Sequence, residues 1–373
     1  MKNKDVPLNS SVKPVSEFDL ALRNFRKNKF AVLALIVLGV LYFSAIFADF
    51  LSPYSYRTED RIYSYCPPTK VHFFDNGMLT SPFIHKVVLS FNEFHGRVYK
   101  EESSEKYFLK FLAKGEKYKL LGVFPCQYHL FTINDDVRIY LLGADSRGRD
   151  LFSRLLYGAR ISLSIGVIGV LISFTIGLII GGLAGFYGGR VDNLLMRLCE
   201  IVMMIPGFYL LLALRSAVPE NFSSLQVYFA IIVILSFIGW AGLARIIRGM
   251  CLSLRERDYV LAARTFGLSD LQIILRHILP HTVSYSIFAL MLSIPGYILG
   301  ESALSLIGLG IQDPYASWGN LLSDAMSIVR IQFAPWILWP AFFIFLTVLC
   351  FNIIGDTLRD CLDPMLRSEG ERS

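Results

Sequence analysis

Along the 373 residues, apolar positions gather into long runs that charge does not enter. Phe30 to Ala48, Ile161 to Gly189, Asn221 to Ala244, Thr282 to Gly300 and Ile331 to Gly355 contain no Asp, Glu, Lys or Arg. A sixth run, Leu194 to Leu214, is interrupted by Arg197 and Glu200. A helix needs about 20 apolar residues to cross a bilayer, so the pattern predicts six membrane-spanning helices. The first run follows 29 residues and has no small-x-small cleavage site behind it, so it reads as a retained signal anchor. Between the first two runs the pattern changes. Val71 to Phe74 reads as a strand leading into the hairpin signal Asp75-Asn76-Gly77, and Val137 to Leu142 as another strand. Glu101 to Ala113 reads as helix. The expectation is an all-α polytopic membrane protein with a small α+β insert between its first two spans.

Composition agrees: 54% hydrophobic and 18% charged residues, with a mean hydropathy of +0.50, where soluble domains carry about 25% charge. This argues against a soluble enzyme and rules out a disordered chain. The net charge of +6 becomes informative only when divided by loop. Lys2, Lys4, Lys13, Arg23, Arg26, Lys27 and Lys29 precede the first span; Arg359, Arg367 and Arg372 follow the last. Arg248, Arg255, Arg257, Arg264 and Arg276 lie between the fourth and fifth. The positive-inside rule then places both termini and that loop in the cytoplasm, and the insert outside. The predicted layout is a cytoplasmic segment 1–29, a first span 30–50, an extracytoplasmic insert 51–150, a five-span core 151–358 with a cytoplasmic loop 248–281, and a tail 359–373. The insert's charges are mixed and form no basic stripe with stacking aromatics, which argues against nucleic acid.

Gly177, Gly181, Gly185 and Gly189 recur every fourth residue, a spacing that lets membrane helices pack backbone to backbone. The same stretch lacks the Lys-Ser/Thr ending of a phosphate loop, so the chain is not expected to bind ATP. Pro206-Gly207 and Pro295-Gly296 interrupt apolar runs, as kinks or as breaks beside a substrate path. Glu301 is a carboxylate inside an apolar run; it either lines or gates a path, or accepts hydrogen bonds that fix the bundle. Cys66 and Cys126 are the cysteines of the insert, where an oxidising compartment permits a bridge or leaves two thiols. Cys199, Cys251, Cys350 and Cys361 show no metal-ligand spacing, and His72, His85, His95 and His129 are scattered, so no metal site is expected. His-Glu-x-x-His, Gly-x-Ser-x-Gly and Cys-x-x-Cys are absent.

The most informative stretch runs from Asp258 to Pro280. Ala262 and Ala263 favour helix and leave a small surface that another backbone can approach. Gly267 sits where a helix ends in a left-handed residue, Ser269 or Asp270 can cap a second helix, and Pro280 is expected to break that helix at the membrane. Ala-Ala, three residues, Gly, then eleven residues to Leu279-Pro280 resembles the "EAA" loop of permease subunits in binding-protein-dependent ABC importers. Leu261 stands where that family has Glu, and His277 at a later apolar position. Leu142 to Leu163, Glu301 to Gly310 and Ser317-Trp318-Gly319 are similar to dipeptide/oligopeptide permeases of the C type, which usually have Thr where this chain has Ala144.

The resemblance implies a type I importer permease that catalyses nothing itself, in the inner membrane of a prokaryote. It implies a second, B-type permease subunit and two cytoplasmic ATPase subunits that hold the ATP and Mg. A solute-binding protein would deliver the peptide. Tyr259, Ala262, Ala263, Arg264, Gly267, Leu268, Leu279 and Pro280 would form the loop that couples to the ATPases, with Glu301, Pro295 and Gly296 near the path. Nickel, opine and antibiotic-peptide cargoes occur among relatives of this fold. The competing readings are a membrane-anchored receptor whose insert senses a ligand, and an intramembrane hydrolase built on Glu301 or Asp356.

Overall fold

The computed structural model describes residues 17–75, 77–93, 96–120, 122–133, 137–219 and 221–362. Lys2, Lys4, Lys13, Asn76, His95, Arg367 and Arg372, named above, lie outside that set. Helix α1 (Glu17–Lys27) meets α2 (Lys29–Ile46) at Asn28. The Asn28 amide oxygen accepts from the N–H groups of Phe30 and Ala31 at 3.1 and 3.2 Å, a standard way to satisfy the open donors of a helix start. A one-turn helix, α3 (Ala48–Leu51), leads into the insert.

The insert is built of strands. β1 (His72–Asp75), β2 (Met78–Phe91) and β3 (Arg97–Phe108) form an antiparallel sheet in that order; β4 (Lys110–Leu120) and β5 (Phe124–Thr132) form a separate hairpin. Gly77, at φ +82°, occupies the tight connection between Asp75 and its partner Met78. The helix expected over Glu101 to Ala113 is instead β3 running into β4. Its residues pair with Val87 and Ile84, whose buried side chains give the sheet an inner face, and such pairing overrides local propensity. Val137 to Leu142 joins no sheet. Two of its N–H groups bond side chains: that of Ile139 donates to the Tyr54 hydroxyl at 2.9 Å and that of Tyr140 to Thr69 Oγ1 at 3.0 Å. Among the described insert residues the only helical piece is a 3₁₀ turn, Arg61–Tyr63, so the expected α+β module is a β module. Cys66 and Cys126 are both free. Cys66 is buried against Val87, Tyr140 and Ala144, whereas Cys126 sits opposite Tyr118 on the hairpin.

Beyond the insert come α4 (Leu151–Tyr187), α5 (Gly189–Met204), α6 (Gly207–Ser216), α7 (Ser224–Leu254), α8 (Asp258–Thr265) and α9 (Asp270–Ile273). A π-helical stretch, Ile274–Ile278, then feeds α10 (Leu279–Leu306), and α11 (Trp318–Leu322), α12 (Ile328–Phe333) and α13 (Trp339–Leu362) follow. Among the described residues, five helices are long and apolar enough to cross a membrane: α2, α4, α7, α10 and α13. α5 and α6 pass the same test only as a pair, bent by 86°. Helix α4 is the axis of the bundle, packing against α2, α7 and α10, while α13 closes on α2 and α10. At 37 residues it is about 55 Å long, well beyond a hydrocarbon layer of about 30 Å.

Candidate functional site

The loop between α7 and α10 is a compact knob. Its first helix ends as the chemistry of Gly267 dictates: Gly267 adopts φ +77°, its N–H donates to Arg264 O at 3.0 Å, and the N–H of Leu268 donates to Ala263 O at 3.2 Å. This is the paired bond pattern of a helix closed by a left-handed residue. Ser269 then caps α9, with Gln272 reaching back to the Ser269 N–H at 3.0 Å. Pro280 does not break the second helix. It is the second residue of α10, where its missing N–H costs nothing, and the π-helical stretch Ile274–Ile278 precedes it.

Two faces follow. Val260 and Ala263 turn inward with Ile273, Ile274 and Ile278 against Phe186, Ile247 and Cys251, which belong to the ends of α4 and α7. Ala263 is therefore buried behind the knob, and of the alanine pair only Ala262 is open. Outward stand Tyr259, Leu261, Leu271, Leu275 and, 85% exposed, Phe266. Arg264 lies over the Phe186 ring at 4.9 Å, Tyr259 packs against the His281 ring, and Leu268 and Leu279 are half-buried beneath the knob. Arg255 Nη1 donates to Gly185 O at 3.2 Å, tying the knob to the last turn of α4. The exposed Phe266 and Leu271 escaped notice in the sequence; apolar residues flanking the Gly-Leu-Ser turn on its polar side were the available signal.

The glycine stripe brings α4 against α7. A Cβ on Gly181 would lie 2.4 Å from Ala244 O, and one on Gly185 2.7 Å from Arg248 O. Gly177 faces Leu243. Gly189 is not part of the stripe: it follows the end of α4 at φ +55° with nothing within 4 Å of a Cβ. Pro206 separates α5 from α6, whereas Pro295 sits buried within an unbroken α10. Gly296 lines a cavity of ≈ 330 Å³ with Ser173, Gly239, Ser293 and Tyr297, between α4, α7 and α10.

Glu301 is 0% exposed. Ser305 Oγ donates to its Oε1 at 2.6 Å and Ser162 Oγ to its Oε2 at 3.2 Å. Ser162 also accepts from the Trp318 N–H at 3.0 Å. The carboxylate thus knots α4, α10 and α11. Arg197 and Glu200, which interrupt the sixth run, form an exposed i,i+3 pair at 2.8 Å.

A family model described as the binding-protein-dependent transport system inner membrane component matches residues 177–368, and one for the N-terminal TM domain of oligopeptide transport permease C matches residues 16–68. The dipeptide transport system permease protein DppC of Bacillus subtilis is 33% identical over 93% of this chain and 85% of its own length. The oligopeptide transport system permease protein OppC of the same organism is 31% identical over 96% and 92%. OppC of Haemophilus influenzae is 44% identical over 60% and 70%. The chain belongs to this family of inner membrane transport permeases. It is a multi-pass transporter subunit, and nothing in these relatives supports the receptor reading.

One constellation of the permease was visible in the sequence only as part of a family-like segment. Asp145 accepts from Arg149 Nε at 2.6 Å and Arg154 Nη1 at 3.1 Å; both arginines also reach Asp313 Oδ1, at 2.8 and 3.1 Å. Arg147 adds bonds to Glu59 at 3.0 Å and Asp313 at 3.2 Å. Burial pushes the Asp145 carboxyl up from the usual range, and Arg149 opposes that shift. The cluster fastens the insert, the start of α4 and the loop after α10 to one another. Among the described residues no group of three His, Cys, Asp or Glu could hold a metal ion. His129 bonds the carbonyls of Ser52 and Glu116.

Proposed function

We propose that this permease is the C-type half of the translocation path of an ATP-driven peptide importer with the type I arrangement. A B-type permease supplies the other half, two cytoplasmic ATPase subunits carry the ATP and Mg, and a solute-binding protein delivers the cargo. The peptide cargo is supported by the relatives whose names specify dipeptides and oligopeptides.

The observation that carries the reading is the knob at 248–281, with its open apolar face around Ala262 and Phe266 and its inner face wedged under α4 and α7. A force on α8 from a closing ATPase pair passes through Val260, Ala263 and Arg255 into the ends of α4 and α7, and along the chain into α10. Asn28 Nδ2 donates to Thr357 Oγ1 at 3.1 Å, so the start of α2 and the end of α13 share one face. Lys27, Lys29 and Arg359 flank that junction, which supports a cytoplasmic location for both termini and an extracytoplasmic insert in a prokaryotic inner membrane. Gly296 lies beside the path, and Glu301 holds the bundle together.

The test is purification of the tagged chain from its host in mild detergent, with its companions identified by mass spectrometry. A second permease chain and ATP-binding subunits are expected. Recovery of the chain alone, or with signalling proteins, overturns the reading.

A further inference from the structure

We propose that the tip of the β4–β5 hairpin is an interfacial anchor that dips into the bilayer beside the spans, with Val123 and Phe124 among the acyl chains. The hairpin descends along α4. Near its base Phe131 packs on Phe152, ring centroids 6.2 Å apart, and His129 bonds Ser52 O at 2.6 Å. At its tip Lys119 and Gly122 share a cavity of ≈ 400 Å³ with Tyr157, Ile161, Leu225 and Tyr228. From Phe152 to Ile161 is about 14 Å along a helix axis.

That level is the edge of the hydrocarbon. Ile161 opens the uncharged run of α4, and Arg160 and Tyr157 directly before it carry the chemistry of a membrane–water boundary. Leu225 and Phe229, at the start of α7, are exposed apolar residues of the span surface itself, so the tip continues a lipid-facing surface.

The tip has the composition for that position. Val123 is 70% and Phe124 63% exposed. The strand alternates, with His129 and Phe131 buried and Phe124, Tyr128 and Leu130 on the opposite, open face. From 110 to 132 the hairpin carries Lys110, Lys114, Lys117 and Lys119 against a single acid, Glu116. Lysines with long apolar stems beside exposed apolar side chains suit phospholipid phosphates above acyl chains.

The test places a nitroxide at Phe124→Cys in a Cys126→Ser background, in the assembled complex in nanodiscs containing anionic phospholipid. The other described cysteines are buried. Power saturation with oxygen and a water-soluble nickel chelate reads depth, with a label at Leu225→Cys as the bilayer reference. Oxygen-dominated relaxation matching Leu225 is expected. Nickel-dominated relaxation overturns the anchor, and shielding from both overturns it in favour of a covering protein.

Discussion

Gly181 and Gly185 face backbone, which cannot move aside as a side-chain end can. A Cβ at Gly181 meets Ala244 O at 2.4 Å, so Gly181→Val must push α4 from α7. Overpacking of this kind costs about 1–3 kcal/mol, and the expected outcome is a lowered melting temperature of the purified complex. Gly296→Ala, with nothing within 4 Å, should leave that temperature unchanged, whereas a bulky Gly296→Phe should reduce uptake without unfolding if the residue lies beside the path. At Glu301 the contrast is chemical. Glu301→Gln keeps an acceptor for Ser305 or Ser162, whereas Glu301→Leu takes the carboxylate acceptor from both hydroxyl hydrogens, at about 1–3 kcal/mol. A bundle-fixing role predicts near-normal uptake for Gln and thermal instability for Leu; lost uptake by a stable Gln variant would return Glu301 to the path. Asp150 caps α4 through the Ser153 N–H at 2.8 Å, and burial pushes its carboxyl up to about 6. Between pH about 4, the unfolded value, and pH about 6 the folded state holds more protons. Stability contributed at this site therefore falls as pH rises through that window and is level above it. Asp150→Asn should flatten that part of the melting temperature–pH curve, with the Asp145 contribution common to both proteins.

Whole elements were legible where a solvent imposes a rule on the chain. A bilayer satisfies no backbone group, so each span must be one long uncharged helix, and the apolar runs announce α2, α4, α7, α10 and α13. The knob was legible because Gly267 and Ser269 act on their own neighbours. Pro206 and Pro295 look alike in sequence yet differ in outcome. Ile205 turns extended before Pro206, but α10 is held through Pro295 by Ile294 and Ile298 packed on Gly166. That difference belongs to tertiary contacts, as does the register of the insert strands, where buried Ile84 and Val87 override a helical-looking stretch. The Asp145 cluster was equally hidden, since Asp313 lies 159 residues beyond Arg154. Its prediction is an element-scale one. Asp313→Ala leaves Arg149 and Arg154, 5% and 2% exposed, with Asp145 and a long 4.0 Å contact from Arg149 to Glu59. Because Asp313 is itself 35% exposed, the cost should fall below about 3–5 kcal/mol, that of breaking a fully buried pair. Hydrogen exchange should rise across 308–317 and at the start of α4 while the α4–α7 seam stays protected; unchanged exchange would mean that the clamp holds nothing.

At the scale of the molecule, the two ends of α4 are secured differently. At the insert end it is locked by charge and by the Glu301 knot; at the knob end it rests on an apolar cushion that continues into α8. On the proposed coupling role, a displacement of the knob would reach the bundle as a tilt of its helices about the locked end. Phe266 and Gly267 separate the contact from the transmission. Phe266 is exposed and bears no part of the cushion, so Phe266→Asp should leave the permease folded while the ATPase subunits no longer co-purify. A Cβ at Gly267 would meet nothing within 4 Å, but a β-branched side chain at φ +77° is strained, by about 1–2 kcal/mol for the left-handed conformation. Gly267→Val should relieve that strain by shifting the turn that seats α8 on Phe186 and Ile247. The complex then assembles and hydrolyses ATP, and uptake by proteoliposomes falls. Retained uptake in Gly267→Val would show that the knob works as a contact alone, because a displaced turn would then have cost the helices nothing.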